Sequence, residues 1–303
     1  MQRYYFFDLW HHIRAYSDLI FSHIRLHQVA KLYTFSYLCR MSYALITGAS
    51  SGIGCCYAIE MAKRGYNIVA VSNQPQQLDE VARQITSDYG VEVVPIAIDL
   101  ASEGAAKSIF DTCHESGYDV EVLICNAGML LFSTLTRTSP ESLNTIIALH
   151  CTTTTLLCRY FGEQMKHHHK GHILIMSSST AWLPYPTISH YSATKAYLKS
   201  FASALWYELH SHGVGVTAVF PGAVNTPFYK LSDKSRKLFL SLGVMMRPET
   251  IARRGVRAML RGRRRLTPGL FTKIVVAICA ILPARLFELV LHIGPIKRLL
   301  ERV

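Results

Sequence analysis

Between Tyr43 and Phe220 the chain sets down six short apolar runs rich in Val and Ile, "YALIT", "NIVAVS", "EVVPIAI", "EVLIC", "HILIMS" and "GVTAVF". They are separated by "GCCYAIEMAKRG", "PQQLDEVARQITSDYG", "AAKSIFDTCHES", "SLNTIIALHCTTTTLLCRYFGEQM" and "YSATKAYLKSFASALWYELH", each of helical period. Strands that lack polar alternation are covered on both faces, and strict alternation of strand with helix demands parallel crossovers. The pattern predicts an α/β chain built on a doubly wound parallel sheet, a Rossmann-type fold.

A chain of 303 residues can bury one large core, and with half its residues hydrophobic and 17% charged it is not a disordered polymer. A single domain over 41–303 accounts for the pattern, with a substrate lid over 223–250 and a helical tail over 262–303. Residues 1–40 are rich in aromatics and His and hold no apolar run long enough to span a bilayer. With Met41 directly before the first strand, they are expected to be an extension outside the fold, an amphipathic membrane-contact segment being the alternative.

The formal charge of +12 is concentrated in one place. From Arg236 to Val303 there are 15 Lys and Arg against 3 Glu, and 15 − 3 = 12, so this stretch carries all of it. Its basic residues alternate with aliphatic rather than aromatic ones, which points to an anionic membrane surface and away from nucleic acid. Arg261, Arg263, Arg264 and Arg265 precede an apolar stretch, Ile274 to Ile293, that Pro283, Arg285 and Glu288 interrupt. Two short amphipathic helices, roofing a pocket or resting on a membrane, fit better than a spanning helix. The eight cysteines form no CxxC pair and read as reduced packing residues of a cytoplasmic protein. "KHHHKGH" could chelate a metal, but without an acid or thiol nearby it reads as a solvated turn, and no metal is expected.

Two stretches carry chemistry. In "LITGASSGIGCC", Thr47, Gly48, Gly52 and Gly54 fall where a strand must turn tightly into a helix whose free N–H groups can meet a pyrophosphate. In "YPTISHYSATKAYLKSF", Tyr191 and Lys195 share a helix face. Spacing alone leaves two readings open, a solvated polar pair or an ammonium that stabilises a phenolate and so makes Tyr191 a general acid/base.

Taken in order, TGxxxGIG, Asp99-Leu100, Asn126-Ala127-Gly128, a serine ending the fifth strand, YxxxK and Pro221-Gly222 resemble the short-chain dehydrogenase/reductase family from about Ser42 to Pro248. The resemblance implies that Gly48, Ser50, Ser51, Gly52, Ile53 and Gly54 line a nicotinamide cofactor's pyrophosphate. It places Asp99 and Leu100 at the adenine, Asn126, Ala127 and Gly128 beside the cofactor, and Pro221, Gly222, Val224 and Thr226 around the nicotinamide carboxamide. Family spacing selects Ser178 from "MSSSTAW" as the serine that hydrogen-bonds the substrate carbonyl. Tyr191 is then the proton donor, and Lys195 tunes it while binding the nicotinamide ribose. The family also implies a homodimer through its two long central helices.

Two positions depart from the family pattern. His150 stands where an Asn usually completes a catalytic tetrad; an imidazole could replace it in a water relay to Lys195, or leave a catalytically weakened NADPH-binding regulatory protein. Cys125 stands where the NNAG motif begins with Asn, a small packing substitution. At the end of the second strand Ser72 and Asn73 replace the acid that would repel a 2′-phosphate, so NADP(H) is expected over NAD(H). The segment after Thr226, with Phe228, Leu238, Phe239, Leu240, Leu242, Val244, Met245 and Met246, reads either as a lid packing on its own body or as one for a long apolar ligand. "YAIEMAKRGYNIVAVSNQPQQLDEV" is similar to the group of very-long-chain 3-oxoacyl-CoA reductases and 17β-hydroxysteroid dehydrogenases, which implies a lipophilic ketone or alcohol as substrate.

Overall fold

In the computed structural model of the protein each of the six apolar runs is a strand, parallel to its neighbours. The structure describes residues 42–182, 187–226 and 233–281, except for the side chains of 233–236 and 279–281. The extension expected over 1–40, Phe228 of the lid and the tail beyond 281 lie outside the described residues.

The first half of the sheet comprises β1 (Tyr43–Thr47), β2 (Asn67–Ser72), β3 (Val93–Ala97) and β4 (Val120–Cys125), joined by α1 (Gly52–Ala62), α2 (Pro75–Tyr89) and α3 (Ala105–Glu115). Next come α4 (Pro140–Ile147), a π-turn at Ala148–Thr152 and α5 (Thr153–His167), followed by β5 (Gly171–Met176), α6 (Ser189–His210) and β6 (Val214–Val219). Local chemistry marks several boundaries. Ser139 accepts the Ser142 N–H to cap α4, Pro75 and Pro140 occupy first turns, and Gly90 closes α2 in the left-handed region.

The sheet order β3-β2-β1-β4-β5-β6 ends in a two-residue strand, β9 (Arg265–Leu266), beside β6. Because the order reverses between β1 and β4, a crevice opens at the carboxyl ends of those strands. Leu45, Leu123, Ile173 and Ile175 point to one side, into a core with α3, α5 and α6. Ala44, Ile46, Val122, Ile124 and Leu174 point to the other, into a core with α1, α2 and α8 (Pro248–Leu260). Burial on both faces is why these strands show no polar alternation.

Several elements go beyond the expected set. α8 sits among arginines, yet Ile251, Ala252, Gly255, Val256 and Met259 form a buried face, and a Cβ on Gly255 would come within 2.3 Å of the Tyr57 hydroxyl on α1. β7 (Ala223–Val224) and β8 (Met245–Met246) pair beside the lid helix α7 (Asp233–Ser241), and α9 (Leu270–Ile281) follows β9. The two-residue strands are too short for any period to register in sequence. Cys125 is buried, in the same core as Cys158 of α5. His167 to His169 lie at the exposed end of α5, where His168 faces Asp119 at 3.6 Å. Among the described residues no cluster of His, Cys, Asp and Glu is placed to hold a metal, and no helix is long and apolar enough to cross a membrane.

Candidate active site

At the crevice, Thr47 joins the ends of β1 and β4. Its Oγ1 accepts the N–H groups of Asn126 and Ala127 at 2.9 and 3.0 Å and donates to the Ile124 carbonyl, while Asn126 Nδ2 donates to the Thr47 carbonyl at 3.1 Å. Two glycines are required here for different reasons. Gly48 has φ +68°, a region L side chains rarely enter, whereas at Gly54 a Cβ would stand 2.0 Å from the Gly48 carbonyl oxygen.

Ser51 caps α1 with extended backbone and no side-chain hydrogen bond, and no acid occupies the first turn. The first N–H groups of α1, around Gly52 and Ile53, therefore have no side chain from the cap to satisfy them. Above Gly52 a Cβ would meet only Thr226 Cγ2, at 3.7 Å. An uncapped, acid-free helix start beside open space fits a pyrophosphate. Ser50 and Ser72 share a hydrogen bond of 2.8 Å, Ser72 accepts the Gln74 N–H, and Asn73 is exposed. Exposed Asp99 accepts the Ala101 N–H, and the carbonyl of buried Leu100 accepts the Thr153 hydroxyl at 2.6 Å.

Across the crevice, the three serines after β5 have different partners. Ser177 donates to the Lys195 carbonyl at 2.8 Å, and the Ser179 N–H donates to the Pro221 carbonyl at 2.9 Å. The Ser178 hydroxyl accepts the Thr180 N–H at 3.2 Å and donates to no protein group among the described residues. Lys195 is 4% exposed; its Nζ donates to the Met176 carbonyl at 3.1 Å and lies 5.5 Å from the Tyr191 ring centre. Burial brings its pKa down to about 8, against a small opposing effect of Cys151. Tyr191 is half-buried, edge-on to the His150 ring at 5.7 Å.

His150, fully buried in the π-turn, has both ring nitrogens occupied. Nε2 accepts the Met129 N–H at 3.0 Å and Nδ1 lies 2.8 Å from Thr194 Oγ1. Burial first, then the charges of Lys195 and His190, holds its pKa well below the ordinary histidine value. The relay to Lys195 considered for this residue is not built, because protein groups hold both nitrogens. Gly128 is packed alongside, where a Cβ would stand 2.9 Å from His150 Nε2 and 3.6 Å from Lys195 Nζ. At the far end, Pro221, Val224 and Thr226 are buried, and Gly222 faces Thr272 of α9, whose Oγ1 would be 2.6 Å from a Cβ there. Met129, Thr194 and Thr272 were not singled out in sequence. Only Thr194 carries a signal, a β-branched hydroxyl inside YxxxK.

The chain belongs to the short-chain dehydrogenase/reductase family, whose model, described as short chain dehydrogenase, matches residues 42–237. It is 34% identical over 200 residues to a very-long-chain 3-oxoacyl-CoA reductase of Pyrenophora tritici-repentis, covering 65% of this chain and 59% of that one. Identity is also 34% over 201 residues with the 17-beta-hydroxysteroid dehydrogenase type 3 of Mus musculus, covering 64% of each. Both alignments thus span less than two thirds of the relative's length. A short-chain dehydrogenase from Sphingobium yanoikuyae in complex with NADPH superposes with a TM-score of 0.69 at 26% identity, over 87% of this chain and 96% of that one.

The Lys195 shift has a measurable sign. Between about 8 and the ordinary 10.5 the unfolded chain holds a proton that the folded protein has released, so stability rises with pH across that window, by about 3 kcal/mol for such a shift. Thiols such as Cys56 and Cys113, pushed up to about 12 by burial, act in the opposite direction, so the gain is read as a difference: unfolding measured from pH 7.5 to 10.5 is expected to show the wild-type stability growing relative to that of Lys195→Met. Parallel profiles would show that Lys195 is not buried as a cation.

Proposed function

We propose that the protein is an NADP(H)-dependent oxidoreductase that interconverts a ketone and a secondary alcohol on a lipophilic substrate. The observation that carries the reading is the buried Lys195 one helical turn from Tyr191, anchored on the carbonyl that ends β5, with the Ser178 hydroxyl two residues further on. In this reading Ser178 donates a hydrogen bond to the substrate carbonyl, and Tyr191 hands its phenolic proton to the developing alkoxide. The Lys195 ammonium stabilises the phenolate left behind.

Gly48, Ser50, Ser51, Gly52, Ile53 and Gly54 would hold the cofactor's pyrophosphate. Asp99 and Leu100 would meet its adenine, Asn126, Ala127, Gly128 and Lys195 its nicotinamide ribose side, and Pro221, Gly222, Val224 and Thr226 its carboxamide. The bound cofactor supplies or accepts the hydride. Ser72 and Asn73, with no acid at the end of β2, support NADP(H) over NAD(H). A lipophilic substrate is supported by the lid residues Leu240, Met245 and Met246, which with Lys237, Ser241, Arg247 and Thr250 border an open cleft of about 390 Å³, and by the relatives' acyl-CoA and steroid activities. NADPH consumption against 3-oxoacyl thioesters, ketosteroids and long-chain ketones, with NADH alongside, tests the reading. Tyr191→Phe is expected to lose at least about 100-fold in turnover. Full turnover in that variant would remove the proposed acid, and silence across the panel with NADPH bound would favour a binding protein.

Two associations belong to the same proposal. Homodimer pairing through α5 and α6 is supported by their common face, where Thr155 and the exposed Tyr197 hydrogen-bond at 2.8 Å. Light scattering is expected to give twice the chain mass of 34.1 kDa, and a monomer would exclude the pairing. Contact with an anionic membrane is supported by α9, which buries Thr272 and exposes Leu270, Phe271, Ile274 and Ile278 close after the exposed Arg261, Arg263 and Arg265. The protein is expected to sediment with phosphatidylserine vesicles, on the order of tenfold more weakly once Leu270→Glu and Ile274→Glu are introduced; equal binding by both would place the contact elsewhere.

A further inference from the structure

The hydrogen-bond chain around His150 allows one assignment of its protons. The Tyr191 carbonyl can only accept, so the Thr194 hydroxyl, 2.8 Å away, spends its proton there. Thr194 Oγ1 must then accept from His150 Nδ1, so the imidazole carries its proton on Nδ1. Nε2 must be bare to accept the Met129 N–H. A second proton would have to lie on Nε2, facing that N–H, in a site with no solvent exposure and with Lys195 and His190 adjacent. The neutral Nδ1–H tautomer is the one form that satisfies every partner.

The chain runs Met129 N–H, His150, Thr194, Tyr191 carbonyl, and so connects three separate segments. Met129 belongs to the loop after β4, next to Gly128, which packs against both His150 and Lys195. His150 belongs to the π-turn between α4 and α5, and Thr194 to the turn of α6 that carries Tyr191 and Lys195. The added residue of a π-turn is a recurrent way to aim one side chain out of helical register at a site.

We propose that His150 and Thr194 act as a neutral positioning clamp that sets the Tyr191–Lys195 turn against the loop after β4, and that His150 keeps its Nδ1 proton and relays none during turnover. The inference rests on the proposed roles of Tyr191 and Lys195, but one of its readouts is independent of them. Nitrogen NMR of the labelled full chain is expected to show His150 as the neutral Nδ1–H tautomer, unchanged from pH 5.5 to 9. Titration in that range, or an Nε2–H tautomer, would overturn the clamp whatever the enzyme's activity.

On the substrate that gives turnover, Thr194→Val is expected to lower kcat roughly tenfold or more through misplacement of the turn. NADPH affinity should stay within about twofold of the wild-type value, and Thr194→Ser, which keeps the hydroxyl, should recover most of the rate. Wild-type kcat in Thr194→Val, or equal loss in both variants, would show that the hydroxyl positions nothing. If Tyr191→Phe kept its rate while the tautomer stood as assigned, the functional reading would fail and the clamp would remain.

Discussion

Lys195 carries an amino group into an interior where 4% of the residue meets solvent, and holds it on the carbonyl of Met176. An ammonium in such a place is costly unless its surroundings compensate, and those surroundings account for much of the local architecture. Met176 ends β5, so the sheet itself presents the carbonyl. Ser177 ties the Lys195 main chain to the same strand end. His150, which could add a second positive charge, is held neutral by partners on both sides, and Gly128 keeps the volume beside the amine clear of a side chain.

The glycine-turn side of the crevice and the lid side are built on different principles. On the first, proposed to hold the cofactor, main-chain groups at strand and helix ends line the crevice, and Thr47 fixes those ends with four hydrogen bonds that pass through its hydroxyl and carbonyl. Rigid elements of this kind tolerate little change, as the 2.0 Å approach of a Cβ at Gly54 to the Gly48 carbonyl shows. On the second, short strands and α7 line an open cleft with apolar side chains such as Leu240 and Met245 and basic ones such as Lys237 and Arg247, a surface that can be reshaped without disturbing the sheet.

What could be read in the sequence follows from the same division. The fold was legible because strands covered on both faces leave a long signature, and the glycine turn, Ser178 and the Tyr191–Lys195 pair could be proposed as a site because the chemistry expected of them needs given residue types at given spacings. Choosing Ser178 among three serines needed the family spacing; the structure adds a chemical distinction from Ser177, whose hydroxyl is spent on the Lys195 carbonyl. The behaviour of His150 was not legible. Its tautomer depends on Met129, 21 residues away, and Thr194, 44 away, and on a π-turn that no periodicity announces. α8 was hidden by its arginines, which mask an apolar face formed by Ile251, Gly255, Val256 and Met259. β9 lies at the end of a run of arginines whose charge points to an anionic surface and not to a sheet edge.

The contact between Gly222 and Thr272 links two regions that look separable in sequence. The loop from Pro221 to Thr226 and helix α9 compete for one volume, and the absence of a side chain at 222 is what lets Thr272 fill it. The two positions are therefore not independent variables: enlarging one requires shrinking or moving the other. A tail of different sequence grafted onto this fold would carry its own demand into that shared space, and the first part of the molecule to register the mismatch would be the loop from Pro221 to Thr226 rather than the sheet.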